Sequence, residues 1–424
     1  MIDASANVIA NPTKELFKNK DFVSFIFIRL FLTLAIQMQM STISLQIYYE
    51  YSRDELMLGL IGLAEAIPFI VASFYSGHLA DKVNRKKIVW IGALVLFITA
   101  LFLSTFSEHW FSIFTNKPMW VLYLIVVIFG INRAFMAASM QPLLTEFVPR
   151  HLYTHAVSIN SGAWHLGAIL GPVFAGIIYS ASSNGATYSY VIVTFLYLSS
   201  LVSLLIMKYK GSIPEKQEKS ESLLKSIAQG IKFVRNSKML FSAITLDLFA
   251  VLFGGVTVLI PAFTDKILHL GPEYYGLLRT SPAIGALAMS LLLAFYVPTK
   301  TAGKSLLYSV AAFGVFTILF ALCANYWLAF IMLFFTGVFD SVSVVIRQSI
   351  LQLFTPDHLR GRVTAINGIF IGSSNEIGAF ESGLAAKLMG LVPSIIFGGI
   401  MTVFVVAVTH KANPELSKLD LSKC

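Results

Sequence analysis

Ten ionisable side chains interrupt stretches of this sequence that are otherwise almost free of charge. Inside a membrane helix each such group costs about 2.5–3.5 kcal/mol on insertion scales, so it normally faces a cavity or a partner. Acids in this setting exchange protons, and arginines bind anions or neutralise acids. The ten residues are Arg29, Glu65, Arg133, Asp247, Arg279, Asp340, Arg347, Glu376, Glu381 and Lys387.

The composition around these residues is that of a membrane protein. Hydrophobic residues make up 56% of the 424 residues and charged residues only 12%, whereas a soluble domain carries about 25% charged residues. The formal net charge of +9 falls in short clusters between apolar runs, as in loops on the inner face of a membrane. We therefore expect contact with a lipid bilayer and no nucleic-acid partner. Cys323 and Cys424 are expected to remain free thiols.

Twelve apolar runs are long enough to span a bilayer, which takes about 20 residues. We predict an all-α integral membrane fold of two pseudo-symmetric six-helix bundles, residues 1–208 and 239–424, joined by a cytoplasmic linker over 209–238 with an amphipathic helix. The predicted spans are 22–46, 57–80, 88–106, 119–144, 156–180, 187–207, 239–263, 275–297, 305–323, 326–351, 364–388 and 392–409.

An internal repeat supports the division into halves. A shift of 207 residues places 141–176 on 348–383, so that Gln141 meets Gln348, Gly171 meets Gly378 and Gly176 meets Gly383. Earlier in each half the shift is about 217, because loop 107–118 faces a much shorter connection. Parallel repeats of this kind are typical of secondary transporters, whose substrate site lies near the bilayer midplane between the halves.

The repeat also pairs buried charges. Arg29 in the first span aligns with Asp247 in the seventh, and Arg133 in the fourth aligns with Asp340 in the tenth. Two interpretations stay open: either Asp247 or Asp340 titrates during transport, or the four groups form static ion pairs that join helices. Asp340 and Arg347 share one helix face, so Arg347 is a further candidate partner for Asp340.

Charged loops predict the orientation in the membrane. The turn over 81–87 has a net charge of +3, and the linker is rich in lysine, whereas the loops over 50–55 and 264–273 are net negative. Positive residues accumulate on the cytoplasmic side. Both termini and the 81–87 turn are therefore predicted to be cytoplasmic.

The run Gly77-His-Leu-Ala-Asp81-Lys-Val-Asn84-Arg85-Lys-Lys87 resembles the signature turn between helices 2 and 3 of the major facilitator superfamily, with Asn84 where Gly is usual. The run Gly167–Gly176 resembles the helix 5 signature of its antiporter branch. Further segments resemble the bacterial enterobactin-exporter family, namely 62–68, 278–283 and 355–363. The resemblance implies a monomeric transporter in the bacterial inner membrane that exports a small organic molecule, such as a siderophore, by proton antiport.

The resemblance also assigns roles to residues of this chain. The central cavity for substrate and protons is expected to contain Arg29, Gln37, Arg133, Asp247, Asp340 and Glu376. Candidate gate residues are Glu65, Arg279, Glu381 and Arg347, with Arg279 as the expected partner of the acids. A conformational latch is expected at Gly77, Asp81, Arg85 and Glu146, in which Asp81 meets the helix 11 N-terminus near Thr364 and Arg85 pairs with Glu146.

Other functional classes have weaker support in the sequence. The run Thr299–Ser305 ends like a P-loop, but its first glycine position is Pro298, so ATP-driven transport is not expected. The sequence shows no nucleophile, zinc or dinucleotide motif, and we expect no enzyme activity, metal or cofactor. A broad drug or macrolide efflux pump is the alternative within transport, and a non-transporting receptor or scaffold is the alternative outside it.

Overall fold

The computed structural model of the protein describes residues 12–80, 82–107, 118–212, 223–293, 295 and 298–423. Twelve long helices carry the fold. Their bounds are α1 Lys20–Gln46, α2 Glu55–Ala80, α3 Arg85–Ser107, α4 Trp120–Phe147, α5 Tyr153–Ser180, α6 Gly185–Ile206, α7 Lys238–Gly254, α8 Pro272–Leu293, α9 Ala302–Ala321, α10 Tyr326–Phe354, α11 Asp357–Met389 and α12 Leu391–Ala412.

Shorter elements extend or connect these helices. A π-helical turn, Ile47–Tyr51, prolongs α1, and Val256–Leu259 and Ile260–Lys266 continue α7 after a break at Gly255. A Cβ on Gly255 would lie 3.1 Å from the backbone of Gly378 in α11, so the break is a place of close helix approach. The connection between α6 and α7 contains the helix Leu223–Asn236. Short helices lie at Pro12–Lys18 and Pro414–Ser417.

Eleven of the described helical segments are long and apolar enough to cross a membrane. α11 is the remaining long helix, with 33 residues. It is unusually polar because it carries Asn375, Glu376, Glu381 and Lys387 along its length. The all-helical architecture agrees with the predicted twelve-helix membrane fold.

The same packing pattern occurs in the first six and the last six helices. α1 packs against α5 and α6, and α7 packs against α11 and α12. α2 packs against α4 as α8 packs against α10, and α3 packs against α6 as α9 packs against α12. The two groups of helices, called the N bundle (α1–α6) and the C bundle (α7–α12), meet mainly through α2–α11 and α5–α8.

The bundles are joined at one end of the molecule and apart at the other. At the end that carries Asp54, called the closed end, one apolar cluster includes residues of both bundles, such as Tyr48 and Phe263. At the opposite end, called the open end, each bundle has its own apolar cluster. The cavity between the bundles therefore has its floor at the closed end.

Glycines mark the same difference. A Cβ on Gly276 of α8 would lie 2.3 Å from the carbonyl oxygen of Pro172 in α5, and a Cβ on Gly59 of α2 would lie 2.9 Å from Gly383 of α11. Toward the open end, a Cβ on Gly162 would meet no described atom within 4 Å. Glycine at the closed end lets the helix backbones touch, as in close membrane helix packing.

Candidate functional site

A cavity of about 850 Å³ lies between the two bundles. Seven of the residues that the sequence singles out line it: Arg29, Gln37, Glu65, Arg133, Arg279, Asp340 and Glu376. They come from α1, α2, α4, α8, α10 and α11, so both bundles contribute. One face of α1 contributes much of the lining, because Thr33, Met40 and Ser44 line the cavity as well.

Arg133 is the centre of a three-residue ion cluster in this cavity. Its Nη1 bonds to the carboxylate of Glu65 on α2 and lies 2.8 Å from Glu376 Oε1 on α11. The guanidinium carbon also stands 4.8 Å from the ring centroid of Phe69. The sequence analysis named Glu65 as a gate residue and Glu376 as a cavity residue, and it expected Arg279 as the partner of the acids. That assignment was wrong, because Arg133 occupies the space between the two carboxylates.

Asp247 lies outside the cavity lining and forms an ion pair with Arg347. The two side chains are only 7% and 3% exposed, and they join α7 to α10. The sequence placed Asp247 in the cavity and considered Arg347 as a partner of Asp340. The structure corrects both points, because Asp247 turns toward α10 and takes Arg347 as its counter-charge. The static interpretation left open paired Asp247 with the other repeat-aligned charges, whereas the observed partner Arg347 is not one of those four.

Three other ionisable residues of the cavity have no ion-pair partner among the described residues. These are Arg29 on α1, Arg279 on α8 and Asp340 on α10. The Nε of Arg29 is buried and has no hydrogen-bond partner in the described part of the chain. Glu381 does not line the cavity, consistent with its position about 140° around α11 from Glu376.

Ion pairs between the bundles hold the closed end. Lys387 of α11 lies 2.5 Å from Asp54, and Lys266 lies 2.6 Å from Glu55 at the start of α2. Asp265 accepts a hydrogen bond from Tyr48 at 3.0 Å and pairs with Arg53 at 3.4 Å. Burial opposes ionisation of Asp54, but hydrogen bonds from Lys387 and from the backbone N–H of Leu56 lower its pKa overall.

The sequence matches the Major Facilitator Superfamily over residues 25–379 and, in a second match, over residues 253–421. The chain belongs to the Major Facilitator Superfamily. It is therefore a multi-pass membrane transporter, as the family resemblance predicted.

Relatives within this superfamily carry names from two areas of transport. The "Staphyloferrin A transporter" of Staphylococcus aureus (strain NCTC 8325 / PS 47) is 24% identical, with 86% of this chain and 89% of the relative covered. The "Multidrug efflux pump Tap" of Mycolicibacterium fortuitum is 23% identical (88% and 91%). The "Enterobactin exporter EntS" of Shigella boydii serotype 4 (strain Sb227) is 25% identical (80% and 80%). The predicted resemblance to the enterobactin-exporter family is confirmed.

Solved superfamily structures agree in fold. A bacterial homolog of the human lysosomal transporter Spinster, solved in an inward-facing and unoccupied conformation, has a TM-score of 0.73. The alignment covers 93% of this chain and 98% of that one at 15% sequence identity. The likeness supports the twelve-helix arrangement described above.

The superfamily signature turn lies at the open end, between α2 and α3. Arg85 Nη1 lies 2.9 Å from Glu146 Oε1 at the end of α4, so the predicted contact is present. Both residues belong to the N bundle, which means that this pair does not itself cross between bundles. Asp81, the other latch residue, lies outside the described residues. A Cβ on Gly77 would meet no described atom within 4 Å.

The turn binds the segment 207–212, where the chain leaves α6. Asn84 Nδ2 donates to the Lys210 carbonyl at 2.8 Å, and Lys86 Nζ donates to the Met207 carbonyl at 2.7 Å. The Tyr209 hydroxyl donates to Glu146 at 2.9 Å. Gly211 has φ +77°, and a Cβ there would lie 2.1 Å from Asn84 Oδ1. Asn84, which stands where the superfamily signature usually has glycine, thus binds the first residues of the linker to the N bundle.

Several cavity and gate residues were missed from the sequence. Trp164 and Asn132 line the cavity, and Asn132 Nδ2 is buried without a described partner. Neither has a charge to mark it within an apolar run. The closed-end pairs of Asp54 and Glu55 were also missed, although the two charged loops over 50–55 and 264–273 were assigned to one side. The Glu55–Lys266 pair could have been predicted, because the two residues carry opposite charges and belong to loops on the same side of the membrane.

Proposed function

We propose that this chain is a proton-coupled exporter of a small organic anion such as a siderophore, working by alternating access. The observation that carries the proposal is the 850 Å³ cavity between the bundles, in which Arg29, Arg279 and Asp340 have no ion-pair partner among the described residues. A cavity with buried charges that lack partners is suited to binding charged ligands and protons. The names of the relatives among siderophore transporters and exporters support this substrate class.

The charge distribution supports an inward-facing orientation in the bacterial inner membrane. The open end carries Lys82, Arg85, Lys86 and Lys87, whereas the closed end carries the acidic loops. By the positive-inside rule the open end then faces the cytoplasm, with both termini on that side. An exporter in this state is ready to take up its substrate from the cytoplasm.

Asp340 is the residue that we assign to proton coupling. It lines the cavity and has no ion-pair partner among the described residues, and the nearby Asp247–Arg347 pair acts on it electrostatically without occupying it. Asp247 is held by Arg347 and is better suited to joining α7 with α10. An acid that exchanges its proton for substrate needs access to the cavity, and of these two only Asp340 lines it.

Alternating access would use the two bundles as moving units. We retain residues 1–208 and 239–424 as these units, with 209–238 as the linker and a single chain as the functional assembly. To open the closed end, the protein must break Asp54–Lys387, Glu55–Lys266 and Arg133–Glu376, all of which join the bundles. The Arg133–Glu65 pair lies within the N bundle and is free to remain.

Flux in proteoliposomes with an imposed pH gradient tests the proposal. With the wild-type protein, we expect protons that move down their gradient to drive 2,3-dihydroxybenzoate or a similar aromatic anion across the membrane in the opposite direction. Asp340→Asn should abolish the dependence on the gradient while leaving exchange of substrate intact. Gln37→Leu, also in the cavity but not ionisable, serves as the matched control and should keep the pH dependence. Unchanged pH dependence in Asp340→Asn would disprove its coupling role.

A broad-specificity efflux pump is the second candidate, favoured by the 23% identity to the multidrug pump. Its expected behaviour is transport of several unrelated cationic or neutral drugs with similar efficiency. A panel of such drugs in the same vesicles separates the two functions. A receptor or scaffold without transport would show no substrate-dependent proton movement with any compound of the panel.

A further inference from the structure

Arginines line the cavity at three places, and among the described residues only one of them has acidic partners. Arg133 is neutralised by Glu65 and Glu376. Arg29 has no described acid within ion-pair distance, and its buried Nε has no hydrogen-bond partner in the described part of the chain. A buried charge without a counter-charge is strongly unfavourable. An anion bound at Arg29 would therefore supply the counter-charge that the described residues do not provide.

A large aromatic side chain lies at the same level of the cavity wall. α5 touches α1 at Gly167, where a Cβ would lie 2.9 Å from Leu34 N and 3.2 Å from the Leu30 carbonyl oxygen. Trp164 precedes Gly167 by three residues, about one helical turn, which brings it to the level of Leu30 and its neighbour Arg29. Trp164 lines the cavity and is 40% exposed. An exposed indole inside a membrane cavity offers a flat surface for a ring.

The other unpaired arginine belongs to a different level. Arg279 lies seven residues into α8 from the closed end, whereas Arg29 lies nine residues into α1 from the open end. Helices rise about 1.5 Å per residue, so the two arginines sit in opposite halves of the cavity. Met136 and Met140 of α4 also line the cavity and add polarisable surface for an apolar ligand body.

We propose that Arg29 and Trp164 form a binding subsite for an aromatic anion, with the carboxylate or catecholate on Arg29 and the ring on Trp164. This inference rests on the proposed export function and narrows its substrate class to ring-bearing anions. Neither a neutral aromatic drug nor a non-aromatic anion satisfies both side chains. The subsite thus sets selectivity at the half of the cavity nearest the open end.

Binding of three small probes to purified protein, measured by titration calorimetry, tests the subsite. The probes are 2,3-dihydroxybenzoate (ring and anion), catechol (neutral ring) and citrate (anion without a ring). Arg29→Gln should weaken 2,3-dihydroxybenzoate at least tenfold, about 1.4 kcal/mol, and leave catechol binding within twofold. Trp164→Ala should weaken both ring probes and spare citrate. Arg150→Gln replaces an exposed arginine outside the cavity lining and should change 2,3-dihydroxybenzoate binding less than threefold.

Two outcomes would overturn the subsite. One is an unchanged ratio of 2,3-dihydroxybenzoate to catechol affinity in Arg29→Gln. The other is a wild-type protein that binds neither ring probe at millimolar concentration. Because the readout is binding without a gradient, it is separate from the coupling experiment. If Asp340→Asn keeps the wild-type pH dependence of flux but the titrations give the expected result, the coupling role of Asp340 is disproved and the subsite stands.

Discussion

Arg133 on α4 lies 2.8 Å from Glu376 on α11 and at the same time bonds to Glu65 on α2. One guanidinium thus serves an acid of its own bundle and an acid of the opposite bundle. Separation of the bundles at the closed end breaks the Arg133–Glu376 contact and preserves the Arg133–Glu65 contact. Arg133 keeps a counter-charge in both states, so the movement never leaves it as an isolated buried cation.

Replacing Arg133 should cost more stability than replacing either acid. Arg133→Gln leaves two carboxylates facing each other without a counter-charge, whereas Glu376→Gln leaves Arg133 paired with Glu65. We expect a loss below the roughly 3–5 kcal/mol typical of fully buried pairs, because 31% of the Arg133 side chain is exposed. Chemical denaturation in detergent measures the difference. Equal losses for Arg133→Gln and Glu376→Gln would show that Glu65 does not share the guanidinium.

Asp247 and Arg347 should behave as a structural pair. Asp247→Asn removes the counter-charge of a side chain that is 3% exposed, and we expect a loss of about 3–5 kcal/mol. Combining Asp247→Leu with Arg347→Met should restore most of the stability, because similar-sized apolar residues replace buried ion pairs well. The double variant should also transport with wild-type pH dependence. Loss of coupling in a stable double variant would instead give the Asp247–Arg347 pair a part in proton coupling, because both residues act electrostatically on Asp340.

Acid should open the closed end through Asp54. The hydrogen bonds of Asp54 lower its pKa below the ordinary 3.8. The stability that its ion pair with Lys387 gives to the closed end is therefore complete above pH 3.8 and is lost as pH falls through the lowered pKa. Between pH 8 and 5 the bridge to Lys387 should not change. As pH falls below 3.8 and through the lowered pKa of Asp54, the distance between spin labels at Ser183 and Ala324, both in exposed connections, should lengthen.

The labels need a background in which both native cysteines are replaced by serine. Asp54→Asn in that background should show the longer distance at neutral pH and little further change with acid. A distance that responds to pH in the same way with and without Asp54 would assign the effect to another acid.

Close contact of α5 and α8 should make Gly276 intolerant of any side chain. A Cβ there would lie 2.3 Å from the Pro172 carbonyl oxygen, so Gly276→Ala should shift the population away from the state with a sealed closed end. Gly162→Ala lies in α5 where a Cβ meets no described atom, and it should leave this state unchanged. The same label pair reports both variants. Identical distances in the two would mean that the helices adjust without parting.

The sequence predicts the helices far better than the partners of their side chains. The apolar run over 119–144 predicted both ends of α4 to within three residues of the observed helix, Trp120–Phe147. It could not say that Arg133 would meet Glu376, because pairing depends on which way each helix is turned and on which end of the molecule is closed. Repeat alignment relates equivalent positions, such as Arg29 and Asp247, but equivalent positions in two bundles need not touch. Arg85–Glu146 was predictable from the family resemblance, and it fits the fold because Arg85 begins α3 and Glu146 lies at the end of α4, which packs beside α3.

The docked segment 207–212 has a consequence for how the protein is made. Its side-chain partners, Asp21, Asn84, Lys86 and Glu146, all precede it in the chain. A ribosome adding about 5–20 residues per second needs roughly 10–40 s to finish the chain beyond it. During that interval the first half can already form these hydrogen bonds at its open end with its own residues. What it cannot finish is the apolar core at the opposite end, which waits for the second half to arrive in the membrane.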